Sequence, residues 1–473
     1  MSRRASNPVV VLASMAVTVT MALLVAWQWA VAETTVDAAP AIAAPADPTI
    51  ELTTPMLSFR RAPGVLSRGL NGTQFRIQLS SVLDRIGGSS CVQVAVDGTV
   101  ISTKNELLPV IPASNQKLLV AATSLAVLGP AYTFQTTAYG TLGADGVVQG
   151  DLALVGGGDP LLTTDDWLAA TEQTHPPVNT TRLEALADAL VAAGVTRVEG
   201  RVVGDGTRYD DQWFHPSWSP ELHGVEAGPL DALMVNDSWL GPSAGNGFAD
   251  DPAAQTAKVF TQLLRERGIP VSKGSAAGAT QFAPEIASID SQPLSAIVQE
   301  MLLTSDDNTA ELLVKEMGSQ AGAGGTTDAG LAVVRDMLAQ WELPLDGVVL
   351  ADGSGLSRDD RVTCALMIGV LRQGSATDDL GLALPVAATS GTLDVEFTGS
   401  PMAGRLQAKT GSLTDVKSLS GYLSTSGGEI EFSLILNQPT ANDAATYQPI
   451  WDVLGVALNT YPSSASVDQL APR

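Results

Sequence analysis

Residues 113–119 read ASNQKLL, a serine and a lysine three apart at the opening of an apolar run. On a helix, positions i and i+3 share a face, so Lys117 can hold its amine beside the hydroxyl of Ser114. Serine is a poor nucleophile until a base takes its proton. A lysine can be that base when burial or a nearby cation favours its neutral form. The plainer alternative is that Ser114 caps a helix and Lys117 faces solvent. The run LLVAATSLAVLGP that follows predicts a helix buried all round, closed by Gly129 and Pro130, which leaves little surface for a solvated lysine.

Lysine is scarce in this chain of 473 residues: Lys104, Lys117, Lys258, Lys273, Lys315, Lys409 and Lys417 are all there are. A motif that needs lysine is therefore less apt to arise by accident. The length predicts roughly two to three domains. The formal net charge of −24 argues against a binder of nucleic-acid phosphates, which needs a basic surface. With three histidines, two cysteines, no CxxC and no zinc-type histidine spacing, a metal site or a cysteine nucleophile has little to build on.

Arg3 and Arg4 precede an apolar run over 8–26 and then WQWAVAETT. That is the pattern of an export signal ending at Ala32, and the run is also near the length of an uncleaved membrane anchor. The expected location is outside the cytoplasm, with membrane contact only through this segment. There Cys91 and Cys364 are candidates for a disulfide. Residues 33–65, rich in Ala, Pro and Thr, read as a linker.

Farther along, CVQVAVDGTVIS alternates around an Asp-Gly turn and predicts a hairpin. Residues 132–162 read mostly as strands, 253–268 and 293–318 as helices. RLQAKTGSL, KSLSGYLST and EIEFSLILN read as strands before a last helix near 442–459. Strands, then helices, then strands predict an α+β fold whose sheet uses both chain ends.

Two further motifs join the first. In KTGSL, Lys409 can hold an anionic carboxylate and act on the charge of Lys117, while Thr410 offers a hydroxyl. Gly411 would let a substrate lie close to the strand edge, and the backbone N–H groups of Ser412 and Ser114 could form an oxyanion hole. A protective lysine on an exposed edge strand is the alternative. In TSDDNTAELL, residues 304–313, Ser305 can relay a proton between Lys117 and Lys409. Here the alternative is a helix start, capped by Thr304 or Ser305 and favoured by Asp306 and Asp307.

Taken in chain order, S-x-x-K, S-D-x and K-T-G resemble the signature of penicillin-binding proteins and serine β-lactamases. About 190 residues separate Ser114 from Ser305, more than a plain helical insert needs, so an extra domain is expected between the motifs. The chain is most similar to the low-molecular-mass class C penicillin-binding proteins, the D-alanyl-D-alanine carboxypeptidase/endopeptidase family. PASNQKLL, LVGGGDPLL, DGSGLSRDDRVT, LPVAATSGTL and GRLQAKTGSLTDVKSLSGYL carry the likeness.

The resemblance implies a transpeptidase-like domain of antiparallel sheet and helices, in two parts over 66–140 and 290–462. An inserted, mostly β region over 141–289 would interrupt it, after a signal or anchor (1–32) and the linker, with a tail at 463–473. It implies Ser114 as the acylated nucleophile, Lys117 as its base and Ser305 as the relay. Lys409, Thr410 and Ser412 would hold the substrate carboxylate and the oxyanion. No metal or organic cofactor is implied. The partners would be peptidoglycan peptides ending in D-Ala-D-Ala or cross-linked, with β-lactams as inhibitors.

One position departs from the family pattern. The second motif is usually Ser-x-Asn, and aligning Ala310–Glu311 puts Asp307 in place of the asparagine. An acid there would pair with Lys117 and make it a worse base. Alternatively the loop shifts by one and Asn308 fills the role. A β-lactamase would need an E-x-x-L-N element for its deacylating glutamate, and none stands between 305 and 409. A non-catalytic wall-binding protein on the same fold is the reading from another class.

Overall fold

In the computed structural model the described residues are 20–21, 23–27, 62–170, 177–241, 247–281 and 283–470. The chain divides into two units, Met1–Pro63 with Pro472–Arg473, and Gly64–Ala471. Before residue 62 only a helical stretch within 20–27 is described, so most of the expected signal or anchor and of the linker lies outside the described residues. Among the described residues no helix is long and apolar enough to cross a membrane.

Helix α1, Ala62–Leu83, begins inside the stretch expected as linker. Phe75, Leu79, Val82 and Ile86 recur at helical spacing and are buried, which gives the segment one face to dock. Strands β1, Cys91–Val96, and β2, Thr99–Lys104, form the expected hairpin. Asp97 (φ 44°) and Gly98 (φ 73°) make the left-handed turn that such a two-residue connection requires. Helix α2, Gln116–Leu128, follows the turn Ala113–Asn115 and stops at Gly129, whose φ is 87°.

The chain then leaves for a second sheet. Strands β3, Gln135–Leu142, and β4, Val147–Val155, pair antiparallel. Helix α3, Leu183–Ala192, buries Leu183, Leu186, Ala187 and Leu190, one stripe of the helix. Strands β5, Arg197–Val198, and β6, Val202–Asp205, add parallel to β4. Helix α4, Pro252–Glu266, starts with Asp251 accepting from the N–H of Ala254 and with proline in its first turn. Strand β7, Ser275–Ala277, joins β6, and β8, Glu285–Asp290, returns antiparallel to β3. This sheet and its two helices enclose a core of their own. The sheet runs from Gln135 to Asp290, against the 141–289 expected for the insert.

Helices α5, Leu294–Thr304, and α6, Asp307–Gln320, are separated by a break at Ser305, inside the stretch 293–318 that reads as helical and at the motif TSDDNTAELL, where the sequence offers a helix start. Ser305 has φ 63°, the left-handed region that costs a non-glycine residue roughly 1 kcal/mol. Asp306 then caps α6, accepting from the N–H groups of Asn308 and Thr309. Helices α7, Thr327–Gln340, and α8, Cys364–Leu371, complete this layer. Strands β9, Leu406–Leu413, β10, Val416–Thr425, and β11, Gly428–Asn437, bring the chain back, and α9, Ala444–Asn459, ends the fold.

The main sheet runs β9-β10-β11-β1-β2 and is antiparallel throughout. Side chains of α1 and α9 cover one face, around Phe432, Leu434 and Trp451. The helices α2, α5, α6, α7 and α8 cover the other. Both chain ends thus feed one sheet, as an α+β fold of the penicillin-binding type predicts. Cys91 on β1 and Cys364 on α8 are joined in a disulfide.

Candidate active site

Three elements meet where the sheet's β9 edge passes the start of α2. Ala113 has φ 50°, and the turn it begins lifts Ser114, half-buried, off the end of a helix buried through Ser124. Gly411 on β9 makes the close approach possible. A Cβ there would stand 2.3 Å from Ser418 Oγ, 2.9 Å from Pro112 O and 3.0 Å from Ser114 N. The approach that this glycine permits is by the protein's own turn at Pro112–Ser114, whereas the sequence predicts an approach by substrate.

Lys117 is wholly buried. Its Nζ has three partners: Asp307 Oδ1 at 2.5 Å, the carbonyl of Ser354 at 2.7 Å and Ser114 Oγ at 3.3 Å. Two of these only accept. A neutral amine would give its two N–H bonds to them and turn its lone pair to the third, the Ser114 hydroxyl. The neighbours therefore fix the orientation of the Lys117 amine.

Lys409, equally buried, lies 2.8 Å from Ser305 Oγ and donates to the carbonyl of Thr410 at 3.0 Å. The left-handed break at Ser305 is what turns that hydroxyl toward β9. The Thr410 hydroxyl bonds Thr392 Oγ1 at 2.8 Å, and Ser412 lies next along the strand, exposed. Thus Ser114 and Lys117 form one hydroxyl–amine pair, and Ser305 and Lys409 a second.

Asp307, and not Asn308, reaches Lys117. Asn308 is buried and points its amide to Asp237 Oδ1 at 3.5 Å. Burial pushes the Asp307 carboxyl up to about 6, against the opposing pull of Lys117. Burial, followed by the Lys117 charge, pushes Lys409 well below its ordinary value, while Asp307 opposes the shift.

Sequence reasoning gave no role to the loop that supplies the third partner of Lys117. In the stretch DGSGLSRDD, Gly355 has φ 87° and its missing side chain would meet the carbonyl of Ala113 at 2.0 Å. Asp352 accepts from the N–H groups of Gly355 and Ser357 and from Trp218 Nε1, and Glu311 accepts from those of Gly353 and Ser354. Two buried carboxyl groups and a fitted glycine hold one carbonyl against Lys117. The sequence marks that stretch by its recurring Asp, Gly and Ser and by its share in the family likeness, and neither assigns it a role. Among the described residues no group of His, Cys, Asp and Glu is arranged to hold a metal ion.

The segment 209–234 packs Tyr209, Trp218 and Leu230 onto Leu312 of α6 and Leu356 of the loop. Glu316 of α6 accepts from Arg208 Nη2 at 2.6 Å and from the hydroxyls of Tyr132 and Tyr209. Lys315 pairs with Asp210. The second sheet's connections are therefore fastened to the helix that carries Asp307.

Comparison with known proteins shows the family and the fold. The family model of the D-Ala-D-Ala carboxypeptidase 3 (S13) family matches residues 80–248 and 246–454. A D-alanyl-D-alanine carboxypeptidase of Actinomadura sp. (strain R39) is 29% identical over 81% of this chain and 85% of its own length. A carboxypeptidase of Mycobacterium tuberculosis is 27% identical over 74% and 76%. The crystal structure of penicillin binding protein 4 from Haemophilus influenzae superposes with a TM-score of 0.68, at 20% identity, over 81% of this chain and 99% of that one.

Proposed function

The chain belongs to the D-Ala-D-Ala carboxypeptidase 3 (S13) family, and on that footing we propose that it cleaves peptidoglycan peptides through an acyl-enzyme on Ser114. It is a serine D-Ala-D-Ala carboxypeptidase, of the same kind as its relative in Actinomadura. The observation that carries the reading is the amine of Lys117, 3.3 Å from the Ser114 hydroxyl and buried from water.

In this mechanism the oxygen of Ser114 attacks the carbonyl carbon of the penultimate D-alanine while Lys117 takes its hydrogen. The N–H groups of Ser114 and Ser412 hold the oxyanion. Ser305 passes a proton to the leaving nitrogen, and Lys409 with Thr410 holds the terminal carboxylate. Water then releases the acyl group. β-Lactams enter by the same route and trap the serine as an ester. The enzyme works outside the cytoplasm, carried there by the apolar segment 8–26, either cleaved after Ala32 or kept as an anchor.

A fluorescent penicillin tests this directly. The label should sit on the peptide that carries Ser114 and vanish in Ser114→Ala. A purified enzyme that takes no label at Ser114 and releases no D-alanine from a D-Ala-D-Ala peptide would sink the reading.

A further inference from the structure

Three lysines of this chain are wholly buried: Lys117, Lys315 and Lys409. Two of them stand against carboxylates, Lys117 on Asp307 and Lys315 on Asp210. Lys409 alone has no carboxylate partner among the described residues. Its amine meets only a hydroxyl, Ser305 Oγ, and a carbonyl, that of Thr410. A buried ammonium without a counter-charge is costly and sheds its proton instead. The charged groups that bear on it act from three elements: Lys117 on α2, Asp307 on α6 and Lys417 on β10. Two are cations, and the carboxylate of Asp307 is already engaged by Lys117 at 2.5 Å.

We propose that Lys409 is a neutral amine before substrate binds, and that the carboxylate of the incoming ligand charges it with one proton drawn from solvent. The ligand part of this rests on the peptidase reading above. The proton also reverses a hydrogen bond. A neutral Lys409 spends N–H on the Thr410 carbonyl and accepts the hydrogen of Ser305 on its lone pair. A charged Lys409 donates to Ser305 Oγ, and the serine's own hydrogen turns into the cleft, where a leaving nitrogen needs it. The step makes one N–H bond on Lys409 and breaks one O–H bond in the solvent hydronium that supplies the proton; no bond between heavy atoms changes. Only the terminal carboxylate arms the relay, so a ligand lacking it would bind beside a Ser305 that cannot yet donate.

The scarcity of lysine makes the charge readable. Full-length protein carrying 13C-lysine should give seven side-chain signals, one for each lysine in the sequence. At neutral pH one should lie at the neutral-amine position, disappear in Lys409→Arg and persist in Lys117→Arg. If Lys409→Arg does not fold, Lys409→Met makes the assignment. Benzylpenicillin should move that signal to the ammonium position, and benzylpenicillin methyl ester should leave it in place. Seven ammonium signals in the ligand-free protein, or a lone neutral signal that vanishes in Lys117→Arg and persists in Lys409→Arg, would overturn the proposal. So would a signal that ignores benzylpenicillin while Ser114 is labelled. Failure to label Ser114 at all strikes the peptidase reading, and the ligand-free spectrum still decides the charge of Lys409.

Discussion

Asp307 stands 2.5 Å from the amine of Lys117, where the family pattern has an asparagine. An ionised carboxylate at that distance favours the ammonium form of its partner, which is the wrong form for taking a proton from Ser114. Asp307→Asn keeps the shape and an acceptor and removes the charge. Acylation by penicillin at neutral pH should rise on the order of tenfold, the effect of about 1.4 kcal/mol. Stopped-flow acylation rates of the two proteins decide it. A slower variant would mean that the acid is an adapted part of the proton path.

Gly411 lets the β9 edge touch the turn that carries Ser114. In Gly411→Ala the new methyl would press on Pro112 O at 2.9 Å and Ser114 N at 3.0 Å, while the nearer Ser418 Oγ can rotate aside. The turn must then shift, and a misplacement of about 1 Å at a reacting group costs up to about a hundredfold in rate. The acylation rate should fall steeply with little change in melting temperature. Equal rates would show that the turn has room to spare.

Much of this site was legible because three short motifs state their chemistry in side chains. Ser114, Lys117, Ser305 and Lys409 are named by spacing and order, and the structure brings them together. The hairpin at Asp97–Gly98 and the strands from Leu406 to Asn437 were equally readable, since alternation and turn residues are local signals. What stayed hidden is set by distant pairing. The carbonyl of Ser354 carries no side-chain signal, and its place depends on Glu311 some forty residues away. The choice between Asp307 and Asn308 turned on a single left-handed residue, Ser305, which composition does not mark. The helix at Ala62–Leu83 was obscured because its first turns carry exposed apolar residues such as Val65 and Leu66 beside a Pro-rich stretch.

The disulfide between Cys91 and Cys364 closes a loop with a sequence separation of 273 residues, spanning the whole second sheet. Chain-entropy arguments give a cross-link of that span up to about 5 kcal/mol, although part of that is usually lost. The double variant Cys91→Ala with Cys364→Ala should melt several degrees lower than the oxidised protein. It should match the wild type under reductant. Unchanged melting would mean that the packing of α8 on β1 suffices alone.

Glu316 fastens the second sheet's connections to α6. Burial works against its charge, but Arg208, Tyr132 and Gln320 donate to it and hold it below the usual carboxylate range. Glu316→Ala would leave Arg208 and two tyrosine hydroxyls without their acceptor. Arg208 is 31% exposed, so a loss of about 2–3 kcal/mol is expected, below the cost of breaking a fully buried pair. Limited proteolysis should then cut first within 209–234, the segment that lies over α6. Protection there equal to the wild type would assign the fastening to Tyr209, Trp218 and Leu230 instead.

Glu311 links the surroundings of Lys117 to pH. Its Oε1 accepts from the N–H groups of Gly353 at 2.9 Å and Ser354 at 2.8 Å, so it holds the loop whose carbonyl meets Lys117. Burial first, and the charge of Asp352 next, push its carboxyl up to about 8. In the unfolded chain a glutamate releases its proton near 4.3. Between those values the folded protein holds a proton that the unfolded chain has lost, so stability falls as pH rises. The contribution is complete below about pH 4 and gone once pH passes about 8, on the order of 5 kcal/mol at most. Glu311→Gln keeps an acceptor for both N–H groups and cannot ionise. Melting temperatures of the pair across that range should therefore diverge in favour of the variant as pH rises, and its acylation rate should hold up better on the alkaline side. A constant gap would mean that Glu311 is already charged in the folded protein, with its second oxygen buried and unpaired at real cost.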